Sequence, residues 1–236
     1  GQGMNLEDLN AQVDLLVNNV TFNSYNYENI SVNGKIESQI FEGKIASEDP
    51  NIYFNIDGKA NLNDTFPSAQ VLGEINNLDL YALHLLPYPL KAQMKLDADI
   101  KGYKVDDILG YASIKDIVLE NDSLKWKADS IDFKAQILDN QQRQLLLSSP
   151  IINASLTGKF NTTELPVVFT KFGDQYFPFS TFIGGTEVDD AVSPAQTDSI
   201  KSDYIKVEIG IKDPTDLAHL FQIDLRKLDT ASLSFT

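Results

Sequence analysis

The chain has 236 residues, with 19 Lys plus Arg against 34 Asp plus Glu and a formal charge of −15. That balance excludes a nucleic-acid role and docking on an anionic membrane through a basic patch, because both need clustered cations. No apolar run approaches the ~18–20 residues that span a bilayer, no leader sequence is expected at the start, and the absence of Cys removes disulfides, thiolate catalysis and Cys-ligated metals.

Gly1-Gln2-Gly3 ahead of Met4 reads as an expression scar, and the rest as a soluble internal piece of a larger protein. Turn signals come early, at Asn33-Gly34, Glu42-Gly43 and Asp49-Pro50. A clean period of two follows. Ile52, Phe54, Ile56, Gly58, Ala60 and Leu62 share one parity, while Tyr53, Asn55, Asp57, Lys59 and Asn61 share the other. Leu80 to Leu86 is a weak helical piece that Pro87 stops. Alternation resumes at Ala92, Met94, Leu96, Ala98 and Ile100, with a turn at Lys101-Gly102. It recurs at Ile131, Phe133, Ala135 and Ile137, and again at Ala154, Leu156, Gly158 and Phe160, with turn signals at Asn140 and Asn161. Leu165, Phe169, Phe172 and Tyr176 have helical spacing, with Thr163 as the expected N-cap. Gly184 to Ser199 lacks a period and reads as a surface loop. A last alternating run is Ile205, Val207, Ile209 and Ile211. Asp213-Pro214 then opens a short helix carrying Leu217, Leu220 and Phe221.

Strands with one dry and one wet face imply an antiparallel all-β fold with a few short helices. Strands of about eight residues with turns of about four would make nearly twenty of them, and an open sheet some 80–90 Å long at ~4.8 Å per strand. The chain also matches itself. Leu6-Glu7-Asp8-Leu9 corresponds to Val105-Asp106-Asp107-Ile108, an offset of 105 − 6 = 99, and Val13 and Leu15 correspond to Ala112 and Ile114. Ile30, Val32 and Ile36 correspond to Ile131, Phe133 and Ile137, and Gly58-Lys59 to Gly158-Lys159. One elongated repeat domain is therefore expected over 1–236. Its units cover roughly 5–100 and 104–200, and 201–236 holds a last strand, a short helix and the start of a further unit.

Residues that could carry chemistry are sparse. His84 and His219 lie alone, without metal-ligand spacing, and no GxSxG, Walker or Rossmann pattern occurs. Asp97 with Asp99, Asp129 with Asp132, Asp106-Asp107 and Asp189-Asp190 read as solvated acidic positions. Trp126, in an alternating context, reads as a packed or groove-lip aromatic. The expectation is a protein without catalytic residues, cofactor or metal.

The stretch Gly43-Lys-Ile-Ala-Ser-Glu-Asp-Pro-Asn-Ile-Tyr-Phe-Asn-Ile-Asp-Gly58, followed by Leu62, Pro67 and Leu78-Asp79-Leu80, resembles the repeats of TamB and other AsmA-like envelope proteins, particularly those of Bacteroidota. Gly102-Tyr-Lys-Val-Asp-Asp-Ile-Leu-Gly110 and the turns ending at Tyr176-Phe177-Pro178 are similar in texture. The resemblance implies an elongated, curved antiparallel sheet folded lengthwise into a trough, the β-taco. A β-sandwich or closed barrel is the alternative that alternation alone allows. It further implies a periplasmic segment of a protein anchored in the inner membrane, with phospholipid as cargo and an outer-membrane β-barrel assembly protein as a further partner. A scaffold role in outer-membrane protein assembly, binding unfolded strands, is the alternative function. A trough for acyl chains needs an uncharged inner face. The expected lining is Ile30, Val32, Ile52, Phe54, Ile56, Met94, Leu96, Ile100, Ile131, Phe133, Ile137, Leu156, Phe160, Val207, Ile209 and Ile211.

Overall fold

The computed structural model describes residues 10–63, 66–139, 141–165, 205–212, 215, 220–221 and 231–235. Within them are twelve strands: β1 (Asn10–Phe22), β2 (Tyr25–Glu37), β3 (Ile40–Asp49), β4 (Ile52–Asn61), β5 (Ser68–Asp79), β6 (Lys91–Lys101), β7 (Leu109–Glu120), β8 (Lys125–Ile137), β9 (Arg143–Ser148), β10 (Ile152–Gly158), β11 (Lys206–Ile211) and β12 (Ala231–Phe235). They form one antiparallel sheet whose spatial order is the order of the sequence. The sheet is curled and trough-like and does not close into a barrel. Strands pack substantially only against their sequence neighbours, so no second sheet lies on either face among the described residues. The sandwich and barrel alternatives are thereby excluded.

The strands are fewer and longer than the turn signals imply. Asn33-Gly34 and Glu42-Gly43 do not turn; they lie in the middle of β2 and β3, where Gly34 and Gly43 face each other. The Phe41 ring lies across both glycines on that face, and a Cβ on Gly43 would come within 2.9 Å of it. These glycines make room for an aromatic ring rather than for a reversal of the chain. The true hairpin turns are Asn23-Ser24 and Ser38-Gln39, each a two-residue loop with positive φ at both positions (48° and 61°, 47° and 64°), the type I′ geometry built without glycine. Asp49-Pro50 and Lys101-Gly102 do end strands, as expected. Elsewhere polar side chains hold the turns. Asn121 Oδ1 accepts from the N–H groups of Ser123 (2.9 Å) and Leu124 (2.8 Å), and Ser149 Oγ accepts from Ile152 N–H at 2.9 Å.

The expected helix at Leu80–Leu86 is instead a run of turns. Leu83 N–H reaches Asp79 O, but His84 N–H reaches only three residues back to Tyr81 O, and Leu85 and Leu86 both return to Leu80 O. His84, at φ 58°, breaks the helical path. Thr163 is not an N-cap. It sits inside a 3-10 turn, Thr162–Glu164, and both its N–H and its Oγ1 donate to the Asp106 carboxylate. The expected helix from Leu165 to Tyr176, apart from Leu165 itself, the expected loop from Gly184 to Ser199, Asn140, Asp189-Asp190, His219, and Leu6 to Leu9 lie outside the described residues. The helix expected after Pro214 does too, apart from Thr215, Leu220 and Phe221. The sequence matches place β1 with β7, β2 with β8 and β4 with β10.

Register carries the apolar parity across the sheet without a gap. Leu15 pairs with Val32, Val32 with Ile45, Ile45 with Ile56 and Ile56 with Gly73; the row continues through Leu96, Ile114 and Ile131. One transverse line interrupts the regular ladder. Asn29 (φ 53°) and Asp116 (φ 51°) lie on it, as do register shifts next to Phe54, between Ile75 and Leu78, and between Gln93 and Lys95. In β1, β5, β7 and β8 the apolar set changes parity there and keeps its face, while β4 and β6 hold one parity throughout. Val13, Leu15 and Val17 give way to Val20 and Phe22; Ala112 and Ile114 give way to Ile117 and Leu119. Beyond the line Ile52, Leu78, Ala92, Leu119 and Trp126 form a second cross-strand row.

Two glycines separate backbone need from side-chain space. Gly110 has φ +121°, and a Cβ there would collide with the Asp99 carbonyl oxygen. Gly210 has nothing within 4 Å of such an atom. Gly110→Ala should destabilise by more than about 1 kcal/mol, whereas Gly210→Ala should be neutral or stabilise by up to about 1 kcal/mol, as read from urea midpoints at constant m.

Candidate functional site: the apolar face of the sheet

The feature that sets this molecule apart from a two-layer protein is an apolar sheet face that remains largely uncovered. Large side chains stand open on it: Leu15 is 49 % exposed, Ile45 43 %, Phe133 38 % and Ile137 51 %, and Val13, Val20, Phe22 and Phe41 are exposed as well. The register places Ile30, Val32, Ile52, Phe54, Ile56, Met94, Leu96, Ile100, Ile131, Phe133, Ile137, Leu156, Val207, Ile209 and Ile211 together on this face. Phe160 is not with them, because β10 ends at Gly158. Sequence reasoning missed Val13, Leu15, Val20, Phe22, Phe41 and Ile45, which lie on the same face. Their signal was alternation interrupted by the parity change near Asn18 and Asn29 and hidden by the glycines mistaken for turns.

Among the described residues the face is covered at two places along its rims. At the rim formed by the β1–β2 and β5–β6 connections, residues 80–90 fold over the sheet. Leu83 is 0 % exposed and Leu90 1 %, and Ala92, Ser47 and Asp49 on the sheet are buried with them. Asn23 Nδ2 donates to the His84 carbonyl at 2.9 Å, His84 Nδ1 lies 3.2 Å from the Asn23 carbonyl, and the His84 ring meets Tyr25 edge-on. Asp49 is the polar centre of this rim. Its carboxylate accepts from Tyr25 Oη at 2.6 Å and from the N–H groups of Asn51 (2.8 Å) and Glu28 (2.9 Å). Burial pushes the Asp49 pKa up, but these bonds together with Ile52 N–H outweigh it and hold the carboxyl below its ordinary 3.8. Burial and then the neighbouring Asp49 push the Tyr25 phenol above its ordinary 10.0.

At the opposite rim the short 3-10 turn Val105–Asp107 is pinned by Arg143, the first residue of β9. The guanidinium donates to the carbonyls of Val105 (3.3 Å), Asp106 and Ile108 (2.6 Å). Burial lowers the Arg143 pKa, and Asp106 and Asp107 act the other way. Asp106 in turn ties the turn at 162–164 to this rim through Thr163.

The other face is wet. Glu42 bridges Lys35 (3.1 Å) and Lys59 (2.7 Å) across three strands, and Asp97 pairs with Lys115 (2.7 Å) and Tyr111 Oη (3.0 Å). Lys115 first and then Tyr111 hold Asp97 below the usual carboxylate range. Asp99 accepts from Gln70 at 2.9 Å, and Asp132 from Ser113 and Ser130. Asp97, Asp99 and Asp132, three of the acidic positions noted in the sequence, therefore serve ladders on the solvated face. No group of three or more His, Asp or Glu side chains among the described residues is placed to hold a metal ion, and no helix among them is long and apolar enough to cross a membrane. Comparison with protein-family models, with curated proteins and with solved structures found no match to this chain.

The Asp49 network yields a pH dependence. A carboxyl held below its unfolded pKa stabilises fully above that value, and the stabilisation is lost as pH falls through the folded-state pKa. Asp49→Asn should destabilise at pH 7 by about 1–3 kcal/mol, because the amide cannot accept from every donor around it. The gap between variant and wild type should narrow from about pH 5 to about pH 2 in urea titrations. A gap that stays constant over that range would remove Asp49 as the group responsible.

Proposed function

We propose that this chain is a non-enzymatic periplasmic segment of a TamB/AsmA-like envelope protein, and that it holds or conducts phospholipid acyl chains along its apolar face between the inner and outer membranes. One observation carries the reading: among the described residues a continuous apolar face spans β1 to β11 with no second sheet upon it, and bulky aliphatic and aromatic side chains are left exposed. Hydrocarbon is the ligand that such a face fits. Each methylene withdrawn from water contributes about 0.8 kcal/mol, so a partly inserted acyl chain is held by several kcal/mol with no polar contact. The apolar face runs along the direction in which strands stack, the direction a long chain would follow. The texture of Gly43–Gly58 and Gly102–Gly110 supplies the family assignment, and the envelope location rests on it. A second reading has its own observation. β1 is hydrogen-bonded on one side only among the described residues, and an unfolded outer-membrane strand could add to that edge.

Native mass spectrometry after gentle purification tests the two. Phospholipid co-purifying near one per chain supports the lipid reading. Leu15→Asp and Phe133→Asp should each cut that occupancy at least tenfold, since a charge on the acyl-contact surface is costly where water is excluded. Both should leave the thermal midpoint within about 4 °C, because the side chains are already exposed. Unfolding of either variant would mean that the position is sealed core and would end the lipid reading. Binding of an outer-membrane strand peptide without any lipid would favour the second.

A further inference from the structure

We infer that residues 80–90 are a displaceable cover, whose Leu83 and Leu90 occupy a stretch of the apolar face that acyl chains take when they load; this builds on the acyl-chain reading of that face. From β1 to β10 the other connections along the same rim, at 23–24, 50–51, 121–124 and 149–151, are tight turns; the β11–β12 connection, 212–230, lies mostly outside the described residues. From β1 to β10 the β5–β6 connection is the one long enough to lie back over the sheet. It does so with an apolar underside: Leu83 and Leu90 are fully buried, against a face that is elsewhere largely open. No strand ladder holds it down. Its link to the β1–β2 turn is the reciprocal pair of bonds between Asn23 and His84, with the edge contact of the Tyr25 ring beside them. His84 adopts a left-handed backbone, a strained conformation for a residue with a side chain, at the point where the cover meets its latch. The tip is open to solvent. Tyr81, His84, Leu86 and Pro87 surround a hollow of about 480 Å³, and Tyr81 and Leu85 stand exposed. A segment with a greasy underside, a two-bond latch and an exposed tip has the low local stability from which moving parts are drawn.

The chain has no cysteine, so a single introduced thiol reports without background. Ala92→Cys places one beneath the cover, where Ala92 is buried. Under native conditions a maleimide should label it at least tenfold faster than the chain unfolds globally, and saturation with pyrene-labelled phosphatidylglycerol should change that rate at least tenfold. Labelling no faster than global unfolding would overturn the cover, whether or not the lipid probe binds. A second variant, Asn23→Cys with His84→Cys, should load the same probe from phosphatidylglycerol vesicles at least tenfold more slowly when oxidised than when reduced. Equal loading in the two states would also overturn it. A wild-type chain that takes up no probe at all would sink the acyl-chain reading and leave the thiol at position 92 to decide the cover.

Discussion

Everything in this structure follows from a sheet that stays one layer thick while its strands remain amphipathic. In most β proteins the dry faces of two sheets meet and bury each other. Here each strand satisfies its backbone through its neighbours, and among the described residues no second sheet covers the dry face. The fold therefore relies on its ladders and cross-strand pairs to a greater degree than a sandwich does. Long strands answer that demand: β1, β2 and β8 each run for thirteen residues, so each adds many paired positions. The ion-pair ladder of Lys35, Glu42 and Lys59 does on the wet face what the row through Leu15, Val32, Ile45 and Ile56 does on the dry one. Each stitches successive strands into one register.

A flat sheet of this length would not make a trough. Curvature needs a device repeated from strand to strand, and the transverse line of irregularities through Asn29, Phe54, Ile75, Gln93 and Asp116 is such a device. A bulge bends its strand and increases the local twist. Bulges aligned across neighbouring strands bend them all at the same level, and that produces a crease parallel to the stacking direction. The β3–β4 pair crosses the line with its register intact, so the crease is a property of the ensemble of strands and not of every pair. The parity change in β1, β5 and β7 keeps Val20, Leu78, Ile117 and Leu119 on the dry side. Without it, everything beyond the crease would have turned its apolar residues outward.

The sequence made the face legible and concealed its extent. Period two in 52–62, 92–100, 131–137 and 205–211 sufficed to place those residues on a common side, because antiparallel pairing with hairpin connections transmits parity from strand to strand. Asn33-Gly34 misled because a glycine beside an asparagine signals a turn in most contexts. In this sheet Gly34 and Gly43 accommodate the ring of Phe41, a tertiary contact that no local rule anticipates. The true turns, Asn23-Ser24 and Ser38-Gln39, lack glycine and were invisible for the same reason. The parity changes are readable in hindsight as apolar residues spaced by three: Val17 and Val20, Ile75 and Leu78, Ile114 and Ile117. The rim network around Asp49 left no trace, since Tyr25, Asn51 and Asp49 converge only once β2 and β3 are side by side.

The chemistry of the open face argues about its occupant as much as its shape does. The face presents methyl, methylene and ring surface, with its backbone groups already spent on the ladder. A polypeptide laid upon it would bring its own N–H and C=O groups to a place that cannot answer them, at about 1–3 kcal/mol for each group left unpaired. An acyl chain brings no such groups. The polar end of a lipid would have to remain at a rim, and both rims are polar: Asp49, Tyr25 and Asn51 on one side, Arg143, Asp106 and Thr163 on the other. A strand, by contrast, can be received at the free edge of β1, where the backbone is the binding surface. Face and edge thus favour different ligands for a physical reason. On the proposed reading, the same molecule keeps hydrocarbon and polypeptide apart without needing a separate site to tell them from each other.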